Sequence, residues 1–538
     1  MPVLALLLLS ALVPAAASER AEPARPSPSA SLPVEAPASL LVEAPASLLV
    51  EAPASLLVEA PASLLVVMRE QADLSGAARI ADRLERRRFV YEALRAQAEA
   101  TQAPLRRELE RRGIRYRPHF LVNLLEVEVE AGGDEAAWLA RRGDVLRLSP
   151  NRPSALRRVP ADPADDEPLA ALRDAAIEPN LALIGASALW QRGITGQGIV
   201  IGVADTGFEW DHPALKERYR GWDESTSTVT HDYNWHDAVH ENKSLNACGK
   251  DSPVPCDDQG HGTGTSGLAV GQDATGTIGA APGARLIGCR NMDIGIGTPA
   301  RYIECFEWFL APTDSQNQNP RPELGPDVVN NSWGCPPEEG CTDPDMLDAT
   351  VNSMRAAGIA MAFAAGNTFN HCYSISRAPS VGPGAFAIGA TNLDDTIAVF
   401  SGVGPVASDG SYRMKPDLTA PGVDLRTAAL QGRYIARFSG TSGSAPEVAG
   451  AIALLWSAVP GLRGNVDATE QILEQSAVPL RSDLDCFPYL GSLVPNPVFG
   501  WGRLDVANAY AAATARDAPE LVPEGGRGTR ELARAGSP

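Results

Sequence analysis

The sequence predicts an α/β protein with a mostly parallel central sheet, preceded by a small α+β unit. Three observations carry this. From Leu181 onward, short apolar runs alternate with helix-like segments, the pattern of a parallel sheet covered by helices on both faces. Residues 66–150 carry helix and strand patterns of their own, and residues 151–179, rich in Pro, Asp and Arg, read as an exposed linker between the two. At 538 residues and 44% hydrophobic content, the chain can form two packed units and still leave segments that never pack.

The first residues, MPVLALLLLSALVPAAASER, hold an apolar stretch followed by small residues, the shape of a secretory signal peptide over 1–18. It is shorter than the ~20 apolar residues that span a bilayer, so no stable membrane insertion is expected. Within 19–65 the octet VEAPASLL occurs four times from Val34 to Leu65. A Pro in every copy blocks continuous helix, and the period is too short for a solenoid, so this reads as low-complexity spacer.

The unit at 66–150 opens on the apolar run LLVVM and continues in an Arg/Glu-rich stretch, 81–112, with helical spacing of its apolar residues. Next comes HFLVNLLEVEVE, where Leu125, Val127 and Val129 share one face of a strand. A short helix over 134–141 and a strand over 145–148 complete the unit. In the region 180–515 the candidate buried strands are 198–205, 284–290, 327–333, 359–366 and 385–391, and helices are predicted over 299–310 and 343–357. Residues 516–538, with almost no large apolar side chains, read as a disordered tail.

The net charge of −20 is concentrated in the C-terminal two thirds, because Arg balances Asp and Glu before residue 160. Such a surface repels phosphates and argues against a nucleic-acid partner. All eight cysteines lie after residue 247. Cys248/Cys256 and Cys335/Cys341 can each close a small loop in an oxidising compartment, while the other pairings stay open. The absence of CxxC spacing argues against structural zinc.

Three short motifs stand out where strand, loop and helix meet. Asp205 ends a strand in GVADTG, a place to bury an acid that orients a histidine. His261 lies between glycines in DDQGHGTGTSG and can act as a general base. Ser442, in FSGTSGSAPEVAGAIALLW, is placed at a helix start, where backbone N–H groups favour a developing oxyanion. Taken singly, each has an ordinary explanation as a turn acid, a loop histidine or an N-cap; their joint occurrence in the order Asp, His, Ser is what points to chemistry.

DTG, HGT and GTSxSAP, supported by IGAAPGARL, NNSWG, AAGN and KPDLTAPG, resemble the active-site signatures of subtilisin-like serine peptidases over about 181–512. The stretches WDHPALKERYRGW and NNSWGCPPEEGC are similar to bacillopeptidase F-like members. The resemblance implies a three-layer subtilisin-like fold and a secreted endopeptidase acting on proteins or peptides. It further implies a triad of Asp205, His261 and Ser442, with Asn367 as oxyanion donor, and a substrate pocket flanked by Ser332, Trp333 and Gly334 on one side and Ala364, Ala365 and Gly366 on the other. Residues 66–150 resemble the family's inhibitory propeptide. The chemistry needs no cofactor. Structural calcium is allowed by the family, but Ala214 stands in HPAL where a calcium-ligand aspartate is common, and no metal ligands are assigned. A catalytically silent binding protein and a peptide ligase on the same scaffold are the competing readings; the presence of all four catalytic positions weighs against the first.

Overall fold

The computed structural model describes residues 63–156, 177–241, 246–274, 276–337, 341 and 344–517. The signal-peptide reading, nearly all of the octet repeat, most of the linker and the tail from 518 lie outside the described residues. The tail prediction began two residues early, since the last helix, Val506–Asp517, runs on to 517.

The N-terminal unit is a four-stranded antiparallel sheet, in the order β2-β3-β1-β4, carrying one long helix. Strand β1 is Leu64–Met68 and helix α1 is Arg83–Arg112, started by the Asp82 carboxylate, which accepts from the N–H groups of Leu84 and Glu85 at 2.9 Å. Strands β2 (Tyr116–His119) and β3 (Leu124–Val127) form a hairpin, so the HFLVNLLEVEVE run is broken by a turn instead of forming one strand. Helix α2 (Asp134–Ala140) and strand β4 (Val145–Pro150) follow.

Alternation along β1 divides its side chains between two cores. Leu64, Val66 and Met68 pack with Leu105, Leu109, Leu125, Val127 and Val129 inside the unit, as the shared face of the last three predicts. Leu65 and Val67 pack with Val90, Leu94 and Leu124 in a cluster that continues into Phe306, Phe309 and Leu347 of the C-terminal region. The first six residues of the predicted linker are not uniformly exposed: Arg152 is, but Asn151 and Ser154 are buried, and Ser154–Ala155 form a short strand, β5.

The C-terminal region is organised by a seven-stranded parallel sheet. In chain order its strands are β6 (Val200–Asp205), β7 (Trp235–Asp237), β8 (Arg285–Arg290), β10 (Val328–Asn331), β11 (Ala360–Ala364), β12 (Phe386–Thr391) and β13 (Leu418–Pro421). The short strand β9 (Ile296–Gly297) lies outside it and pairs with β5. Spatial order is β13-β12-β11-β10-β6-β8-β7, so the chain leaves β6 toward one edge and returns to β10 on its other side. That reversal makes the carboxyl end of β6 a topological switch point, where open α/β sheets place their ligands. All five predicted strands are present. β7 and β13 escaped prediction because one is a three-residue WHD and the other ends in Pro421, a residue an edge strand tolerates.

Helices cover both faces. Helix α3 (His261–Val270) and the long α6 (Thr441–Ala458) lie on one, where Val448, Ile452, Leu455 and Trp456 pack on Ile201, Val328 and Ile388. Helices α4 (Pro299–Leu310) and α5 (Pro344–Ala356) lie on the other. Four disulfides join described residues: Cys248–Cys256 and Cys335–Cys341, which sequence spacing suggested, and Cys289–Cys305 and Cys372–Cys486, which it left open.

Loop length separates these crosslinks in their expected worth. Cys372–Cys486 spans 114 residues and Cys335–Cys341 only 6. Replacing the first pair by Ser should lower unfolding stability by about 2–4 kcal/mol, and replacing the second by clearly less. Urea unfolding of an inactive variant checks this; equal losses from the two pairs would contradict it.

Candidate active site

Asp205 is the last residue of β6 and is fully buried. An acid in such a place needs its oxygens satisfied. Oδ1 accepts from the Thr206 N–H at 2.8 Å and lies 2.8 Å from His261 Nδ1, and Oδ2 accepts from Thr265 Oγ1 at 3.2 Å. The turn beyond it requires Gly207, whose φ is 104° and where a Cβ would sit 1.8 Å from the Cys256 carbonyl oxygen.

His261 opens α3 and is 2% exposed. Its loop is held by Asp257, which accepts from the N–H groups of Gln259, Gly260 and Thr263 and from the hydroxyls of Thr206 and Thr263, at 2.7 to 3.0 Å. The glycine after the histidine lets α3 approach β6: a Cβ on Gly262 would stand 2.0 Å from the Gly207 carbonyl oxygen. Thus the strand end and the helix start are pinned together by Thr206, whose Oγ1 also accepts from Gly262 N–H at 2.9 Å. Asp257, Thr206 and Thr265 have no signal in the sequence apart from their nearness to the motifs.

Ser442 is the second residue of α6. Pro446, the sixth, stands deeper than a first-turn proline and removes the N–H that would bond the Ser442 carbonyl. Ser332 fills that vacancy: its Oγ donates to the Ser442 carbonyl at 3.0 Å, while Ser442 Oγ donates to the Ser332 carbonyl at 3.1 Å. The hydroxyl therefore rests against the wall beyond β10.

Asn367 lies just beyond β11. Its Oδ1 accepts from the N–H and the hydroxyl of Thr441 at 2.9 and 3.0 Å, which fixes the amide plane beside the start of α6. Ser332, Trp333 and Gly334, with Ala364 and Gly366, line a pocket together with Ser442 and Asn367. Ala365 does not. Strand-like alternation turns it away, into the core beside Phe363 and Ile375, and its N–H bonds the Ile388 carbonyl at 2.9 Å. Three residues not anticipated from sequence also line this pocket, Thr441, Arg377 and Leu156. Leu156 directly follows β5, which pairs antiparallel with Ile296–Gly297; its own N–H bonds the Gly295 carbonyl at 2.7 Å.

The model of the Subtilase family matches residues 196–502, more than half of the chain. The chain belongs to the subtilase family. Its relatives include Bacillopeptidase F of Bacillus subtilis (strain 168), 39% identical over 345 residues that cover 63% of this chain and 22% of the relative. Subtilisin NAT of Bacillus subtilis subsp. natto is 30% identical over 283 residues, 52% of this chain and 61% of its own. Serine protease AprX of Bacillus subtilis (strain 168) is 29% identical over 294 residues, 50% and 59% respectively. The chain thus spans less than two thirds of each of these relatives.

Where this subtilase departs from the family's motifs, packing compensates. A Cβ on Gly264 would lie 2.9 Å from the Phe438 ring, and one on Gly443 would lie 2.7 Å from Leu425 Cδ1. Phe438, whose ring centroid is 5.6 Å from that of His261, and Leu425 therefore fill the space that larger residues would take. Ala214 is buried against Ile278 and Ala428, an apolar setting that offers no ligand. Among the described residues, no group of three His, Cys, Asp or Glu side chains is placed to hold a metal ion.

One buried acid of this subtilase faces away from the site. Burial of Glu447, in α6, raises its pKa to about 8, only partly offset by the Asn180 amide donating at 2.6 Å. The folded state therefore binds a proton that the unfolded state releases near 4.5. Stability due to this group is fully present below about 4.5 and declines, by at most roughly 1.4 kcal/mol per pH unit, as pH rises to about 8. Glu447→Gln should flatten that decline. Thermal midpoints at pH 5 to 8, measured in a Ser442→Ala background, test this; parallel curves with and without the substitution would refute it.

Proposed function

We propose that this subtilase is a secreted serine endopeptidase, made as a precursor whose N-terminal unit inhibits it. The observations that carry the reading are the buried Asp205–His261 bond at the carboxyl end of β6 and the pocket that the helix-start Ser442 and the oriented Asn367 line, to which the end of the N-terminal unit contributes Leu156. In this reading Ser442 Oγ leaves the Ser332 carbonyl and gives its proton to His261 as it attacks a peptide carbonyl. Asp205, in contact with Nδ1, holds the imidazole in the tautomer that leaves Nε2 as acceptor and favours its charged form. Asn367 Nδ2 and the Ser442 N–H stabilise the tetrahedral oxyanion, and α6 adds its dipole. His261 then protonates the leaving amine, and water repeats the sequence on the acyl-enzyme.

The N-terminal unit supports the precursor reading by its fit. Its tail, Ser154–Leu156, lies as an added antiparallel strand, the way an extended substrate would. Asn151 Oδ1 accepts from the Ala300 N–H at the start of α4 at 3.0 Å, and Glu307 of α4 accepts from the Leu121 N–H at 2.9 Å. Buried Arg87 donates to the Gly325 and Pro326 carbonyls at 2.9 Å. The four disulfides support export, since such bonds persist in oxidising compartments.

Purified wild type should hydrolyse casein and lose its N-terminal region, whereas Ser442→Ala should do neither, and a serine-directed phosphonate should label only the former. Equal hydrolysis by the variant would remove Ser442 from the mechanism.

His119 gives the inhibitor a pH dependence. Burial, the largest influence, opposes its charge, but Glu307 at 3.1 Å, with Glu126 and Glu304 behind it, leaves the pKa raised above 6.5. Docking of the N-terminal unit thus takes up a proton; its contribution is present below about 6.5 and fades as pH rises through the raised value. The ratio of maturation rates, His119→Gln over wild type, should be largest at pH 6 and fall toward pH 8.5. A ratio independent of pH would exclude this role.

A further inference from the structure

Both partners of the Asp205–His261 bond are tied to the end of one strand, β8. Arg290, its last residue, stands in register with Asp205 on β6 and with Asp237 on β7. The N–H of the next residue, Asn291, donates to the Asp205 carbonyl at 2.9 Å, which holds the backbone of the acid. The Arg290 side chain reaches the loop of the base. Its Nη1 donates to Asp258 Oδ2 at 3.0 Å, three residues before His261, and both side chains are wholly buried. Asp258 Oδ1 accepts from the Ile294 N–H at 2.9 Å, so both carboxylate oxygens are held by the segment 290–294. The rest of the guanidinium is equally engaged. Nε and Nη2 donate to the two Asp237 oxygens at 2.9 and 2.8 Å, Nη2 also to the Gly249 carbonyl at 2.6 Å, and Nη1 also to Asn246 Oδ1 at 3.3 Å. One buried cation thus gathers β7, the turn at 246–249 and residue 258, and the Cys248–Cys256 bond ties that turn to the same loop. From Asp258 the support passes along the chain: Asp257 accepts from the Gln259 and Gly260 N–H groups, and Gln259 Oε1 accepts from the His261 N–H at 3.1 Å.

We propose that Asp258 and Arg290 are positioning residues for the general base: their ion pair seats the loop before His261, and neutralising the pair loosens the imidazole and slows the chemical step. The proposal rests on the reading of Asp205, His261 and Ser442 as the catalytic groups. Hydrogen bonds between ionised partners are about twice as strong as neutral ones, so the loop is held best when Asp258 carries its charge. A base displaced by a fraction of its working distance loses rate steeply, even when the cause lies outside the reacting atoms. That charge is lost close to neutrality. Burial, the largest influence, pushes the Asp258 carboxyl up to about 7; Arg290 and the Ile294 N–H oppose the rise, and the neighbouring Asp257 and Asp293 add to it. Asp237, on the far side of Arg290, draws on the same cation. Above about 7 the pair is ionised, and below it Asp258 becomes a neutral acceptor.

The test compares purified, matured wild type with Asp258→Asn, which keeps the shape and an acceptor oxygen but cannot ionise. Competent sites are counted by stoichiometric phosphonate labelling, and kcat and KM per labelled site are measured on one peptide anilide from pH 6 to 9. At pH 9 the variant should be slower in kcat by about tenfold, with KM little changed. At pH 6, where wild-type Asp258 is itself mostly protonated, the gap should shrink to about twofold. A general loss of packing would lower kcat by the same factor at every pH. Arg290→Lys, which keeps the charge but not the planar fork, should show the same narrowing toward acid pH from a smaller gap, and it carries the test should Asp258→Asn not fold. A ratio of wild type to variant that does not change with pH, or a loss confined to KM, overturns the assignment. Failure of the wild type to label would instead overturn Ser442 as nucleophile, and the positioning role with it.

Discussion

A carboxylate that is wholly out of water must have its oxygens filled by the protein, and that demand at Asp205 organises the surroundings of the site. The donors come from three places: the turn after β6, the first residue of α3 and the turn above it. To bring them together α3 must start almost in contact with the end of β6, which only glycine at 207 and 262 permits. The switch point of the sheet provides the location, since neighbouring strands diverge there and leave room at their carboxyl ends. With β6 and α3 locked, α6 packs against the same sheet face and places Ser442 in the pocket beyond β10 and β11.

The second half of the site depends on a different economy of hydrogen bonds. Pro446 breaks the backbone ladder of α6 at the carbonyl of Ser442, a residue that lines the pocket. Ser332, on the wall of the pocket, both supplies the missing donor and receives the idle hydroxyl. The start of α6 and the wall of the pocket are thereby held in register. Thr441 does the same toward Asn367.

Much of this was legible beforehand, for identifiable reasons. The motifs around Asp205, His261 and Ser442 and five of the seven strands announce themselves because close approach of strand end and helix start needs glycine beside them, and because central parallel strands are apolar throughout. What stayed hidden depends on contacts distant in sequence. Ala365 looked like a pocket residue because its neighbours are, yet alternation sends it into the core. Arg377 sits in SISRAPS with nothing to mark it, and only the fold brings it between Gly334 and Gly366. The residues 151–156 read as linker from their composition, because a strand completed by pairing with another segment needs no apolar pattern of its own.

The apolar cluster beneath α4 and α5 is shared with the N-terminal unit through Leu65, Val67, Val90, Leu94, Leu121 and Leu124. On the precursor reading, a chain cut after the linker would surrender part of that core, its unfolding would have no matching return path through the same docked partner, and survival would become a question of half-life, not of equilibrium. Durability in such a molecule is bought with barriers to opening, and crosslinks such as Cys372–Cys486, which tie distant parts of the catalytic region, act directly on that barrier.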